Sequence, residues 1–218
     1  MGQEIDLLIN YPRPVRNVEA RAQEKSEEDR AIARRFGKEF FDGDRKQGYG
    51  GFNYMPRFWQ PVVPTFQEFY NLNGQSSLLD VGCAKGFMLY DFAQLVPGIK
   101  VGGIDVSEYA IANAMESTKK FVQVANATSL PFADKSFDLV ISINTVHNLD
   151  RAECAKALQE IERVGKRSYI TVDAYRNEEE KKRMYAWNLT AKTIMSVEEW
   201  KVFFKEIGFT GDYFWFIP

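Results

Sequence analysis

The chain has 218 residues, enough for one α/β domain with a substantial core plus an N-terminal extension. A net charge of −2 leaves no surplus of Lys and Arg to neutralise phosphates, so general nucleic-acid binding is not expected. Two cysteines far apart and a single histidine cannot assemble a zinc-like cluster, so no metal is expected. No basic-then-apolar leader and no apolar run of membrane-spanning length is present, which predicts a cytoplasmic protein with no membrane association.

Residues 1 to about 25 are polar and charged, carry Pro12 and Pro14, and are expected to be loosely ordered. Ser26, with Asp29 three residues later, can cap a helix. Ile32, Phe36 and Phe40 recur every fourth residue along it, and Gly43 closes it. The stretch from Asp44 to Trp59 sets Gly48, Gly50 and Gly51 among aromatic residues, and a short helix is expected from Pro64 to Leu72. Strands are predicted at 77–82, 100–105, 121–125, 137–143 and 167–174. Helices are predicted at 86–96, 107–118, 151–163 and, after a charged insertion, 197–207, with a last strand from Asp212 to Ile217. This alternation predicts an α/β fold, a doubly wound and mostly parallel sheet. The division expected is an N-terminal helical extension and candidate lid at 1–74, then a ligand-binding domain at 75–218.

The segment Ser77-Leu78-Leu79-Asp80-Val81-Gly82-Cys83-Ala84-Lys85-Gly86-Phe87 reads as a buried strand, a glycine turn and the start of a helix. A ligand would sit at that helix start, beyond the carboxyl end of the strand. The dinucleotide pattern G-x-G-x-x-G is not met, because its last position falls on Phe87. Asp80 would also oppose a pyrophosphate. S-adenosylmethionine (SAM) has no phosphate, and its ammonium and sulfonium suit a fixed negative charge.

An acidic residue followed by G-x-[GA]-x-G resembles motif I of the class I, Rossmann-like SAM-dependent methyltransferases, with Ala84 in place of the middle glycine. Three further segments match in order and spacing. Asp105 ends the second strand and, by the resemblance, receives both ribose hydroxyls, with Val106 beside it; the alternative is a helix-capping Asp. Asn126-Ala127, ahead of Leu130-Pro131-Phe132, stands where an acidic residue reaches the adenine amine. The Asn126 amide oxygen can accept that bond, or Asn126 is a turn former. Phe137 to Asn144 resembles the fourth strand, with Asn144 at the cofactor end and Asp138 at the structural end.

The resemblance covers residues 77–149 and implies a transferase: SAM-dependent methylation of a small-molecule acceptor. No Asn-Pro-Pro-Tyr, Asp-Pro-Pro-Tyr or Pro-Cys motif follows the fourth strand. A methyltransferase acting on RNA or protein, and a non-catalytic SAM-binding regulator, remain the alternatives. His147 is the candidate general base, or else a histidine that holds its loop. Tyr49, Arg57 and Trp59 of the Gly/aromatic stretch and Tyr175 of the insertion are the candidate acceptor contacts, and Arg57 could instead pair with the cofactor carboxylate.

One departure stands out. The family sheet has two strands after its last helix, and here there is room for one. A smaller sheet, a strand from the insertion, or a partner such as a second copy would each resolve this.

Overall fold

The computed structural model describes residues 2–13, 18 and 25–218. Seven strands form one sheet: β1 (Ser77–Val81), β2 (Lys100–Asp105), β3 (Val122–Val124), β4 (Leu139–Ile143), β5 (Ser168–Tyr175), β6 (Met195–Ser196) and β7 (Asp212–Phe216). The order is β3-β2-β1-β4-β5, with the two-residue β6 and then β7 both pairing with β5 on its far edge, and every pair is parallel. Strand order reverses between β1 and β4, so the crevice for a ligand lies over their carboxyl ends.

Helices cover both faces because the strands are apolar on both. On one side α7 (Arg151–Val164) and α9 (Val197–Ile207) bury Leu158, Ile161, Trp200 and Phe204 against Ile170 and Val172. On the other, α4 (Val63–Tyr70) and α5 (Phe87–Leu95) bury Phe66, Leu89 and Phe92 against Leu78, Ile141 and Tyr169. The alternation of β5 decides what the site receives. Ile170, Val172 and Ala174 go to the first core, which leaves Tyr169, Thr171 and Asp173 on the second face.

Several expectations change. The Ser26 capping box forms as read, but the helix it starts, α1 (Glu27–Ala33), ends early. The chain turns through Phe36 at φ +50° and restarts at Gly37 as α2 (Lys38–Asp42). An every-fourth-residue stripe therefore spans two short helices and a left-handed turn. The Gly/aromatic stretch contains a one-turn helix, α3 (Pro56–Trp59). The helix after β2, α6 (Glu108–Ala112), is much shorter than periodicity suggested, and the charged insertion holds α8 (Glu178–Trp187), capped by Asn177.

The N-terminus differs most. The expected looseness of residues 14–17 and 19–24 falls outside the described residues. Residues 2–13, however, are built into the fold. Glu4 bridges Tyr213 in parallel: the Ile5 amide donates to the Tyr213 carbonyl (3.0 Å) and the Tyr213 amide to the Gln3 carbonyl (3.0 Å). Leu7 is buried, and its amide donates to the Tyr169 hydroxyl at 3.2 Å. The sheet edge is thus completed by the chain itself: β7 runs parallel to β5, β6 comes from the insertion, and the N-terminal segment pairs along β7.

Candidate functional site

β1 ends in Asp80, which is buried. The turn after it is left-handed at three of five positions: Gly82 (φ +89°), Ala84 (φ +50°) and Gly86 (φ +77°). Glycine is needed at Gly82 for a second reason, since a Cβ there would overlap the Thr145 side chain from the loop after β4. Ala84 carries a Cβ in a region that costs L-residues about 1–2 kcal/mol, so its departure from the motif acts through backbone strain more than clearance.

Asp105, at the end of β2, faces this turn. One carboxylate oxygen accepts from the Ala84 amide (2.9 Å) and the other from the Ser107 amide (2.9 Å). Burial raises its pKa, and the backbone amides of Ser107, Ala84 and Val106 oppose that rise. No backbone amide of the described residues bonds Asp80 in this way. Burial, and then the Asp105 carboxylate, push it up to about 7. The capping alternative for Asp105 falls to its neighbour, because Ser107 caps α6.

These groups open into a cavity of about 530 Å³ lying across the strand ends. One half lies over β1, β2 and β3. Asp80, Gly82, Ala84, Asp105, Val106, Asn126 and Ala127 line it, and Phe36, Phe40, Phe41 and Tyr49 cover it. Gly86 shapes the turn from outside the lining. The cover is latched to the turn. Lys85, buried between Gly82 and α5, pairs with Asp42 and donates to the Phe52 carbonyl at 2.9 Å. The Tyr109 hydroxyl also bonds Asp42 (2.9 Å), and the Ser107 hydroxyl bonds the Phe36 carbonyl (2.5 Å).

The other half lies over β4, β5 and β7, where Asn144, Thr171, Asp173, Phe214 and Phe216 meet His147. Asp6, Leu8, Tyr11 and Arg13 of the N-terminal segment line it, as do Trp59 and residues 187–190 of the insertion. Tyr11 packs on Trp59, ring centroids 4.9 Å apart. Sequence reasoning missed the N-terminal lining and Thr171. The signal was the apolar group Ile5, Leu7, Leu8 and Ile9 at the start of a polar stretch.

Four expectations need correction. Arg57 lies outside the lining and packs over Phe58, 5.0 Å from the ring centroid. Tyr175 is also outside, its hydroxyl 3.3 Å from Glu199. The Asn126 amide oxygen is already taken by the Thr128 amide (2.9 Å) and hydroxyl (2.9 Å), so Asn126 is the turn former. Its NH2 is the end left for a ligand.

His147 is the fourth. The Asp173 amide donates to its Nδ1 at 3.1 Å, so the neutral ring carries its proton on Nε2, 3.6 Å from the Asp173 carboxylate. Neither nitrogen then has a lone pair to receive a substrate proton. Burial lowers the pKa of His147, against the attraction of Asp173. The Lys192 and Thr193 amides bond its carbonyl, both at 3.0 Å, which makes it a buried post for the insertion.

Residues 79–170 match the family model described as a methyltransferase domain. YcgJ from Bacillus subtilis superposes with a TM-score of 0.55 over 66% of each chain at 20% identity, a likeness of fold. With the strand order and the glycine turn, this makes the segment a class I, Rossmann-like methyltransferase domain.

Among curated relatives, the O-methyltransferase resE of Aspergillus sclerotiorum is 31% identical over 143 residues, 61% of this chain and 54% of that protein. The mitochondrial arginine-hydroxylase NDUFAF5 of Mus musculus is 31% identical over 97 residues, 44% of this chain and 27% of that protein. The matches therefore span about half, or less, of these relatives.

Proposed function

We propose that this protein is an enzyme that transfers the methyl group of SAM to a small-molecule acceptor. The observation that carries the reading is Asp80: a buried carboxylate beside Asp105, at a glycine turn, in a cavity whose described lining holds a single Lys or Arg. That field favours an ammonium and a sulfonium and disfavours a pyrophosphate. The residues present fit SAM. Asp80 and the Gly82–Ala84 backbone would hold its amino-acid end, Asp105 with Val106 its ribose, and Asn126 with Ala127 its adenine. When bound, SAM supplies a methyl group already activated by the sulfonium.

The chain's own contribution is alignment and exclusion of water. Phe36, Phe40 and Phe41 cover the cofactor half. Asn144, at φ +51° and with its side-chain oxygen accepting from the Thr171 hydroxyl (2.9 Å), has its NH2 left for an acceptor. Asp173 is held on both sides, its amide donating to His147 and its carbonyl accepting from the Trp200 indole (2.9 Å), so His147 serves this half by positioning the end of β5. The small-molecule assignment rests on the enclosure of this half by the N-terminal segment and the insertion.

No helix among the described residues is long and apolar enough to cross a membrane. The free, buried thiols of Cys83 and Cys154 suit the reducing cytoplasm, where we place the protein.

The test is calorimetric titration with SAM, S-adenosylhomocysteine and NAD, followed by a methyl-transfer assay over an acceptor panel. Micromolar binding of both adenosyl ligands and none of NAD is expected. NAD binding alone would overturn the cofactor, and tight SAM binding with no acceptor methylated would favour a regulatory SAM-binding protein.

A further inference from the structure

We propose that Arg13 is the carboxylate receptor of the cavity, a specificity-determining residue supplied by the N-terminal segment. The inference rests on the SAM reading of the site. Asp6, Asp80, Asp105 and Asp173 all line the cavity, and Arg13 is the one Lys or Arg among the described lining residues. SAM carries a carboxylate, as would an acidic acceptor, and among the described lining residues this guanidinium is the cation that can receive it.

The arrangement is one of positioning. Asp6 holds a single nitrogen, Nη2, at 2.6 Å, and the Leu8 carbonyl takes the same nitrogen at 3.2 Å. Nε–H and the Nη1 NH2 make no bond to the described residues and remain for a ligand. The segment that carries Arg13 is itself fixed, through the Ile5 amide on Tyr213, the Leu7 amide on Tyr169, and Tyr11 packed on Phe58 and Trp59. Arg57, offered for this role by sequence, lies outside the cavity. The Arg13 side chain is 53% exposed, which puts the receptor at the cavity mouth and makes it reachable without rearrangement of the core.

The carboxylate has two sources, and one experiment separates them. Wild type and Arg13→Gln are titrated with SAM and with decarboxylated SAM. Both proteins, ligand-free and saturated with S-adenosylhomocysteine, are then titrated with benzoate and benzamide. An approximately tenfold or greater loss of SAM affinity in the variant, with decarboxylated SAM bound equally by both proteins, assigns Arg13 to the cofactor carboxylate. Unchanged SAM affinity, with benzoate binding lost and benzamide unaffected, assigns it to the acceptor. Arg13→Lys keeps the charge and is expected to recover part of whichever loss is seen. If SAM and benzoate each bind both proteins equally, or benzoate binds neither while SAM is unaffected, the proposal is wrong. Failure of wild type to bind SAM overturns the cofactor reading instead, and the ligand-free benzoate titration then decides Arg13 alone.

Discussion

The two halves of the cavity are built by different means. Over β1, β2 and β3 the floor is local, since strand ends and the residues just after them supply Asp80, Gly82, Ala84, Asp105 and Val106, and only the aromatic cover comes from elsewhere in the chain. Over β4, β5 and β7 it is assembled from segments far apart in sequence, with Arg13 near one end of the chain and Phe216 near the other. A fold can keep the first half with one short motif and remake the second through any segment that crosses it. Such a division lets a shared cofactor half serve many acceptors.

The sharpest way to break the comparison is in the turn. Gly82→Ala adds a Cβ at φ +89° where Thr145 already sits. Strain and overpacking together predict a loss of about 2–5 kcal/mol, read by denaturant unfolding, with SAM binding lost as well. A variant as stable as wild type would mean that the β4 loop yields and the turn is not fixed by it.

The N-terminal segment answers for the other half. Leu7 is 2% exposed, and Leu7→Ala is expected to cost about 2–4 kcal/mol. An effect below about 0.5 kcal/mol would show that the segment is an appendage. In the Leu7 variant acceptor binding should fall, and SAM affinity should fall with it only where Arg13 holds the cofactor carboxylate.

Asp80 sharpens the electrostatic reading. Its folded-state pKa, about 7, lies above the ordinary 3.8, so in the ligand-free protein its stability contribution is full below about pH 4 and lost as pH rises through 7. A bound sulfonium and ammonium favour the carboxylate. SAM affinity should therefore rise with pH through about 7, and binding at pH 6–7 should release protons. The check is a binding enthalpy that changes with the ionisation enthalpy of the buffer. Asp80→Asn should weaken SAM by roughly 1–3 kcal/mol at pH 8, remove the proton release, and make the ligand-free protein more stable there. Proton release that persists in the variant would move the titration elsewhere.

The smallest effect is expected at Ala84, where Ala84→Gly relieves a left-handed alanine. A gain of up to about 1 kcal/mol is predicted, reduced by the extra freedom of glycine in the unfolded chain. A loss would mean that the Ala84 methyl contributes packing that outweighs the strain.

Much of this was legible from residues alone. Doubly apolar strands announce a sheet buried on both faces, and the glycines at 82 and 86 sit where the backbone needs positive φ, so β1, β2, β4 and the turn after β1 follow from local patterns. The stripe Ile32, Phe36 and Phe40 misled, because helical spacing does not reveal that Phe36 turns left-handed. Arg57 and Tyr175 misled because nearness in sequence to a lid says nothing about which way a side chain faces.

What the sequence determined by itself was the strand–turn–helix from β1 to α5, because backbone sterics and apolar periodicity act over a few residues. Tertiary structure alone decided the rest: that residues 3–5 would pair with β7, that His147 would spend Nδ1 on the Asp173 amide, and that Arg13 would line the cavity. Each depends on contacts between residues 26 to more than 200 positions apart, and nothing in a local pattern encodes the meeting of distant segments.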